Sequence, residues 1–535
     1  MPKTRPLLRG EITYSTAQRE EVNILHRLSY HDQRRKFFAH ILAKKDWIES
    51  IVAHHLNLGP SNCRMEDVEN WRHGSFNLCV PVVVNGWKWK QQPGERVLLR
   101  FPLPYRVGDA FRPGNGDEKI RCEAGAYAWL QENCPDVPIP KLYGFATSTG
   151  ETFTLLQNLP LIARCVQYLR RRLLSWLGRP IPTQFIRHQA ANNILSDTVG
   201  TGYLLIEYIE EEQGEMLSNT WQEKQVDIGL RTNLFRDLSR ILLSITRIPL
   251  PKIGSFMIDH DGFLHLTNRP LSLEIQELEN ENIPTNIPRD YTYSTVESYV
   301  TDILRIHDNR LRHQPNAIND TGDYIYQTSA LAAMRTVFPS FFKPELRRGP
   351  FAFTFTDLHQ SNIFVDKEWH ITCLVDLEWA CTRPVEMLRT PTWLTNKAVD
   401  EIAESSGEYN TRRMEFVNIM AAEEQRLDST VSTNNHGRPQ LSSIMNESWR
   451  VGTFWYSLAL ASPTGLFAVF FKQIQPRFVK HCSDHDGFQQ IMPWYWAQDW
   501  VRTAASKLSD RKEYDIRLQQ AFECDISPNE RSPAS

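Results

Sequence analysis

Two short apolar runs joined by a polar connection, with polar side chains at their outer ends, constrain this chain more than any other feature. The runs are residues 363–365 and 371–375, and the polar residues 366–369 between them have the length of a hairpin loop. A hairpin folds the chain back on itself, so Asn362 before the first strand and Asp376 after the second are expected side by side. Because Asp357 lies five residues before Asn362, the sequence predicts three polar side chains at one end of a hairpin.

These three side chains have the chemistry that phosphoryl transfer requires. Carboxylate and amide oxygens suit Mg²⁺, which takes few protein ligands and completes its shell with water and phosphate. Asp357 would accept the proton of a substrate hydroxyl, while Asn362 and Asp376 would hold the Mg²⁺ that neutralises the β- and γ-phosphates of ATP. A single Asp is as well explained by a turn or a strand end. The set at this spacing is specific enough to predict Asp357 as the catalytic base and Asn362 and Asp376 as metal ligands.

The residues around the hairpin resemble a known family. Residues 355–365 read Phe-Thr-Asp-Leu-His-Gln-Ser-Asn-Ile-Phe-Val, and residues 373–379 read Cys-Leu-Val-Asp-Leu-Glu-Trp. Both segments resemble the aminoglycoside phosphotransferase family, in particular its large fungal branch. The resemblance implies a protein-kinase-like fold, the cofactors ATP and Mg²⁺, and phosphorylation of a small-molecule hydroxyl, with the roles given above for Asp357, Asn362 and Asp376. The family commonly carries His-Gly before the catalytic Asp, where this chain has Phe355 and Thr356.

Upstream, Arg100 is predicted to bind the phosphates, and Glu123 is predicted to form an ion pair with Arg100. Arg100 closes an apolar strand where kinase-like folds carry a Lys, and Glu123 lies on a helix predicted for residues 117–132. The resemblance implies Arg100 in the Lys role, although its planar fork differs from a point-charge ammonium. A strand-end Arg is otherwise often solvated, and Glu118, on another face of the same helix, is the competing partner.

Two backbone segments are predicted to contact the nucleotide. The turn at residues 73–75 lies where a phosphate-covering loop belongs, and its amides and hydroxyl could meet phosphate oxygens. With one Gly, an ordinary hairpin turn is the alternative. The strand at residues 202–209 resembles the one that enters the interlobe hinge, where adenine bonds to the backbone. The residues predicted to bind the cofactor are Ser75, Arg100, Glu207, Tyr208 and Ile209.

Two side chains close to the central three allow more than one interpretation. Glu378 follows Asp376 by two residues and is either a second metal ligand or a carboxylate that orients backbone or a neighbour such as Arg383. His359 could position Asp357 or touch substrate, and packing within its loop explains it as well.

The resemblance implies a two-lobed protein-kinase-like fold, and the helical and strand periodicities agree with an α+β chain that has a small β-rich N-terminal lobe and a large helical C-terminal lobe. Helical extensions are expected at both ends. The basic run at residues 170–172 favours a solvated helix face, with an anionic partner as the alternative. The predicted organisation is an N-terminal helical extension (1–65), a small ATP-binding lobe (66–209) with an insertion (162–197), a large catalytic lobe (210–430), a C-terminal helical region (431–526) and a disordered tail (527–535).

Composition limits the classes of partner. The net charge of −3 and the pI near 6.6 give no global attraction to nucleic acid or anionic membrane, so neither is expected as a partner. Nine cysteines without a CxxC pair indicate neither a disulfide framework nor a zinc site. The N-terminus has no apolar core of signal-peptide length, and polar residues interrupt the apolar stretch 454–471. A cytoplasmic protein is the expectation, and its oligomeric state stays open.

The sequence therefore predicts an ATP- and Mg²⁺-dependent O-phosphotransferase that acts on a small-molecule hydroxyl, a small-molecule kinase. The alternative is a nucleotide-binding pseudoenzyme or scaffold with a kinase-like fold, which Arg100 in the place of Lys and the single-Gly turn favour. A protein kinase is disfavoured because no Asp-Phe-Gly follows the metal Asp and no Ala-Pro-Glu segment ends an activation loop. The identity of the acceptor is left open by the sequence.

Overall fold

The computed structural model describes residues 3–87, 95–188, 200–430, 440–479 and 485–523. The fold is α+β and two-lobed, as predicted, with an antiparallel sheet toward the N-terminus and a larger, mainly helical part after it. The chain begins with a hairpin that helical periodicity did not predict, because its strands are three residues long. The N-terminal elements are β1 (Thr4–Pro6), β2 (Glu11–Thr13), α1 (Tyr14–Ala17), α2 (Ile24–Leu28), α3 (Tyr30–Leu42) and α4 (Lys45–Leu56).

The small lobe is built on one antiparallel sheet. Its strands are β3 (Cys63–Met65), β4 (Arg72–His73), β5 (Asn77–Val84), β6 (Arg96–Pro102), β7 (Leu142–Ala146), β8 (Thr152–Leu155), β9 (Phe185–Arg187) and β10 (Tyr203–Glu207). Among the described residues they pair in the order β3-β5-β6-β10-β7-β8-β9, with β4 added beside β5. The central strands are rich in buried Val, Leu and Phe, since elements cover both faces of the sheet. The helices of this part are α5 (Pro104–Val107), α6 (Asn115–Asn133) and α7 (Leu161–Trp176).

Helix α6 connects the sheet to the large lobe. It covers the predicted helix at residues 117–132 and is buried along most of its length. At Gly125 an added Cβ would lie 2.3 Å from the carbonyl oxygen of Phe256, so only glycine permits this approach to the large lobe. Trp129 stacks on Phe353 with 4.4 Å between ring centroids. Side chains at the start of α6 are thereby held in fixed positions between the lobes.

The predicted insertion at residues 162–197 contributes to the lobe in two ways. Strand β9 pairs with β8 and adds an edge strand to the sheet, and α7 lies outside it. Residues 189–199 of the insertion lie outside the described residues. Two elements that precede residue 66 also pack in this lobe, since β3 pairs with β5 and His55 of α4 bonds to Thr154 and Tyr203.

The large lobe carries short hairpins among long helices. Its strands are β11 (Glu215–Met216), β12 (Ser255–Ile258), β13 (Leu264–Asn268), β14 (Phe351–Thr354), β15 (Ile363–Val365), β16 (Ile371–Leu374) and β17 (Cys381–Pro384). Its helices are α8 (Leu217–Lys224), α9 (Ile228–Thr246), α10 (Leu273–Asn280), α11 (Val296–His313), α12 (Thr321–Val337), α13 (Val399–Glu404) and α14 (Ser406–Thr430). Strand β14 pairs with β17, and β15 pairs with β16, so the loops that join these pairs emerge together.

The C-terminal region is helical and returns to the N-terminus. Its helices are α15 (Leu441–Val451), α16 (Thr453–Leu460), α17 (Leu466–Val469), α18 (His485–Trp496) and α19 (Trp500–Glu523). Helix α19 forms a small apolar cluster with the N-terminal segment, where the Tyr514 hydroxyl accepts a hydrogen bond from the Ile24 amide at 3.0 Å. No helix in the described ranges has the length and apolarity needed to cross a bilayer. The predicted tail, residues 527–535, lies outside those ranges.

Candidate active site

The hairpin predicted from the two apolar runs is present and brings Asn362 beside Asp376. Strands β15 and β16 pair in the register Ile363 to Leu374, and the amide of Val375 donates to the carbonyl of Asn362 at 2.9 Å. Asp376 follows immediately in the left-handed region, with φ of 66°, a conformation that Asp tolerates better than most residues. The backbone turn at Asp376 ends the strand and directs the chain toward Glu378.

Asp357 lies in the loop between β14 and β15, next to both other residues. The Asn362 side-chain amide donates to the Asp357 carbonyl at 2.9 Å, which closes the loop. The Thr356 hydroxyl donates to the carbonyl of Trp379 at 2.7 Å and joins this loop to the one after β16. Asp357 and Asp376 line the same small pocket. The three residues predicted from their spacing are therefore brought together.

The environment of Asp357 favours a proton acceptor. Burial raises the pKa of its carboxyl to about 6, and the negative charges of Asp376, Glu274 and Glu277 act in the same direction. A general base works best when its pKa lies near the working pH. Asp357 is thus ionised at neutral pH and more basic than an ordinary carboxylate.

Arg100 is the centre of an ion-pair network that spans the lobes. It lies on β6 and is buried. One guanidinium nitrogen is 2.5 Å from Glu123 Oε1, and the other is 2.5 Å from Asp376 Oδ1 and 3.6 Å from Glu378 Oε2. Burial lowers the pKa of Arg100, but Glu123 and Asp376 outweigh that effect and hold the pKa well above its ordinary value. The predicted pair of Arg100 with Glu123 is present, and the same cation also holds the predicted metal ligand.

The competing partner, Glu118, is engaged elsewhere. Its carboxylate lies 2.8 Å from the Arg269 guanidinium and 3.1 Å from Arg289. Glu118 therefore fixes α6 to the large lobe and does not pair with Arg100.

Lys119 and Asn77 belong to the network, and sequence reasoning missed both. Lys119 is buried and forms a salt bridge with Glu378, and its ammonium donates to Asn77 Oδ1 at 2.7 Å. The Asn77 amide in turn donates to Glu378 Oε2 at 2.6 Å. Lys119 precedes Glu123 by one helical turn, with 3.8 Å between Nζ and Oε2, so its i,i+4 spacing was the available signal. Asn77 gave no signal beyond its place at a strand start.

Glu378 lies between the two cations, which fits a carboxylate that orients its neighbours, and its role as a second metal ligand stays a prediction. Its partners are Lys119, Arg100 and Asn77, and Arg383 is not among them. Burial raises the pKa of Glu378 and Asp376 adds to the rise, while Lys119 and Arg100 oppose it. Glu378 thus acts as an internal counterion beside the site, and the suggested pairing with Arg383 was wrong. His359 is exposed and its ring contacts Ser361 at 3.3 Å, which fits the loop-packing interpretation.

Ser75 is exposed in the turn between β4 and β5. Its carbonyl accepts a hydrogen bond from Arg106 Nε at 2.8 Å, while Asn77, two residues later, belongs to the network around Glu378. The turn therefore lies at the end of the sheet that carries the network. Its contact with phosphate stays a prediction.

Of the residues predicted to form the hinge, Glu207 ends β10, and Tyr208 and Ile209 follow it. The Glu207 carboxylate accepts from the Lys141 amide at 3.0 Å, and its own amide donates to the Lys141 carbonyl at 2.8 Å. The Tyr208 ring is buried under Arg96, whose guanidinium carbon lies 4.2 Å from the ring centroid. These contacts stiffen the segment that joins the lobes, and their role toward adenine stays a prediction.

The donor set fits Mg²⁺ bound together with phosphates. Among the described residues there is no group of three or more His, Cys, Asp or Glu side chains that could hold a metal alone. Asn362 and Asp376 offer two oxygen donors side by side, and a metal that keeps waters and phosphates needs few protein ligands.

The structure combines an antiparallel small lobe, a helix whose Glu123 pairs with Arg100 of β6, and a loop carrying Asp357 that leads into the β15–β16 hairpin. No family model matches the sequence, and no curated protein matches it significantly. Among solved structures, the chain is similar to ethanolamine kinase Pv091845 of Plasmodium vivax, with 10% sequence identity and a TM-score of 0.32. The match covers 86% of this chain and 85% of that chain. The geometry of the site is therefore the basis for proposing a function.

Proposed function

We propose that this protein is a small-molecule kinase of the aminoglycoside phosphotransferase type, which transfers the γ-phosphate of ATP to a hydroxyl group. The observation that carries the proposal is the meeting of Asp357, Asn362 and Asp376 at one end of a hairpin, beside the buried pair of Arg100 and Glu123. Phosphoryl transfer asks the protein for positioning and charge neutralisation, and these residues supply both.

Each residue has a distinct role in this reaction. Asp357 holds the acceptor hydroxyl and takes its proton as the hydroxyl oxygen bonds to the γ-phosphorus, while the bond from that phosphorus to the β–γ bridging oxygen breaks and ADP leaves. Asn362 and Asp376 would hold Mg²⁺, which would neutralise charge on the β- and γ-phosphates. Arg100 supplies a second positive charge to the phosphates, and Glu123 keeps its guanidinium in place. Glu378 and Lys119 hold the loop after β16 against α6.

The test is a screen of a metabolite mixture with purified protein and Mg-ATP, with phosphorylated products detected by mass spectrometry. Asp357→Asn is expected to lower turnover about 10²- to 10⁴-fold while nucleotide binding persists, because it removes only the proton acceptor. Asp376→Ala is expected to abolish Mg²⁺-dependent nucleotide binding. Asp261→Asn, at an exposed turn, is the matched control. Full turnover in both site variants would contradict these roles.

A nucleotide-binding pseudoenzyme is the second candidate, and one contact favours it. Arg100 binds Asp376 directly, so the predicted metal ligand already has a cationic partner. This candidate predicts Mg-ATP binding with no phosphorylated product from the mixture, and Arg100→Lys would then leave the protein equally inactive. A product in the screen decides against it.

A further inference from the structure

Helix α7 (Leu161–Trp176) presents its apolar side to solvent. Within this helix, all of whose residues the structure describes, none is buried. Five of its large apolar side chains recur at spacings of four, three, four and three residues, and these five are 55 to 82% exposed. They form one stripe along the helix, called the apolar stripe here, which consists of Ile162, Val166, Leu169, Leu173 and Trp176. A contiguous exposed patch of this kind marks an interaction surface in a folded protein.

The side of α7 opposite the stripe faces the protein, and it carries Arg164 and Arg171 beside the half-buried Ala163 and Leu174. Arg171 donates hydrogen bonds to the carbonyls of Pro182 and Thr183, the latter at 2.8 Å. Arg164 donates to the carbonyl of Gln157 at 3.2 Å. The helix is thus attached through the side that carries these arginines, the reverse of the usual orientation of a surface helix, whose apolar side covers the core. This attachment fixes the apolar stripe outward.

The charges beside the stripe indicate what covers it. With about 3.6 residues per turn, Arg170 and Arg172 fall on opposite edges of the apolar stripe, and both are exposed. Residues 161–180 contain no Asp or Glu. Two copies of this face would bring arginines against arginines, which disfavours self-association. A surface that is apolar within and negative at its border complements it.

We propose that α7 binds the surface of a membrane that contains anionic lipid. The apolar stripe enters the boundary between headgroups and acyl chains, and Arg170 and Arg172 extend toward the negative headgroups on either side. Trp176 lies at the end of the stripe, a place where indole rings favour the membrane interface. Such a helix lies in the membrane surface without crossing it. No membrane partner is expected from the net charge, but the net charge describes the whole chain and not the local arrangement on α7.

Vesicle flotation of the full chain tests the proposal. Vesicles of phosphatidylcholine mixed with phosphatidylserine are expected to carry the protein upward, with less protein on phosphatidylcholine alone and less at high salt. The double variant Leu169→Glu with Leu173→Glu is expected to stay at the bottom. Arg170→Gln with Arg172→Gln is expected to weaken binding to anionic vesicles about 30-fold, the effect of two arginines near such a surface.

Matched controls separate this surface from general changes in charge or apolarity. Val501→Glu with Ile516→Glu replaces two apolar side chains of similar exposure on α19. Arg426→Gln with Arg450→Gln removes two exposed arginines elsewhere. Both controls are expected to float as the wild type does. All substituted side chains are exposed or flank the stripe, so thermal unfolding is expected to stay unchanged.

Three outcomes would overturn the proposal. The first is a wild-type chain that floats with neither kind of vesicle. The second is flotation of the Leu169 and Leu173 double variant equal to that of the wild type. The third is a dimer in light scattering that this double variant dissociates without any vesicle binding, which would assign the stripe to contact between copies of the chain. None of these results depends on kinase activity.

Discussion

At the scale of single residues, the site is organised by charge compensation in a buried place. Arg100 and Lys119 are both buried, and they face Glu123, Asp376 and Glu378. Removing one partner of such a network leaves an uncompensated buried charge, which costs more than the pair contributes. Substitution of Lys119 tests this asymmetry, and substitution of Asp357 tests the raised pKa of its carboxyl.

Lys119→Met is expected to destabilise the protein by about 3–5 kcal/mol, because Glu378 then loses its closest cation in a buried position. Chemical denaturation measures the change. Adding Glu378→Gln to Lys119→Met is expected to recover part of the loss, since no unpaired carboxylate remains. Equal stability of the single and double variants would show that Lys119 contributes through packing alone.

Asp357→Asn is expected to stabilise the fold at pH 7.5 by about 3 kcal/mol. The pKa of Asp357 rises from 3.8 to about 6 on folding, so its ionised form disfavours the folded state. This destabilisation is absent below pH 4, develops between pH 4 and 6, and is complete above pH 6. Urea denaturation of both proteins at pH 4 and 7.5 measures it. A difference that is the same at both pH values would exclude titration of Asp357 as the cause.

The contacts that the sequence predicted join residues that lie close together along the chain, whereas the contacts it missed join distant segments. Asn362 and Asp376 are joined by a short hairpin, so their meeting follows from local spacing. The contacts among Asn77, Lys119 and Glu378 join three distant segments through sheet and helix packing, which no local pattern reveals. Arg100 and Glu123 lie between these cases, and they were found through the resemblance to a family.

At the scale of elements, the β15–β16 hairpin carries the site and is itself fixed by aromatic packing. Trp369, at the end of the hairpin loop, is buried and adopts a φ of 60°. Its ring stacks on Trp221 with 5.4 Å between centroids, and its indole nitrogen donates to the Thr220 hydroxyl at 3.2 Å. The loop predicted as a simple polar connection therefore contains the anchor of the hairpin.

Trp369→Ala is expected to lower the free energy of unfolding by about 3–5 kcal/mol, since it opens a large cavity against Trp221. It is also expected to weaken Mg-ATP binding, because Asn362 precedes the first strand of this hairpin and Asp376 follows the second. Lys367→Ala, exposed in the same loop, is the control. Calorimetry and nucleotide titration measure both effects, and unaltered binding in a destabilised Trp369 variant would separate the hairpin from the site.

The length of the regular apolar pattern in a helix or strand explains which elements the sequence predicts well. Helix α6 was predicted nearly to its ends because its pattern extends over five turns, and β10 because its apolar run is continuous. The hairpin of β1 and β2 and the edge strand β9 were missed, since three-residue strands carry too little alternation to be recognised. Their positions are set by tertiary packing.

At the scale of the whole molecule, the two ends of the described chain are packed together. Ile12 and Ile24 contact Leu518 and Phe522 of α19 in a small core separate from the main one. Arg511 of the same helix donates to the carbonyl of Gln18 at 2.9 Å. The first part of the predicted N-terminal extension and the last helix of the C-terminal region thus form one packed unit although they lie far apart in sequence.

Leu518→Asp is expected to loosen this unit, because a charge replaces a fully buried apolar side chain. Thermolysin is expected to cleave within residues 3–24 faster than in the wild type, while Mg-ATP binding is retained. Gln520→Asp, exposed on the same helix, serves as the control. Protection of residues 3–24 in the Leu518 variant would show that other contacts hold the N-terminal segment.

The packing of α19 against the N-terminal segment makes a circular permutant of this protein feasible. The Lys3 ammonium lies 2.8 Å from the carbonyl oxygen of Glu523, so a linker of a few residues suffices to join these positions. New termini could then be opened at an exposed loop, such as the turn at Asp261, to give a circular permutant with every contact of the site intact. Labels attached at Lys3 and Glu523 would lie close together, so a loss of energy transfer between them would report the separation of α19 from the N-terminal segment.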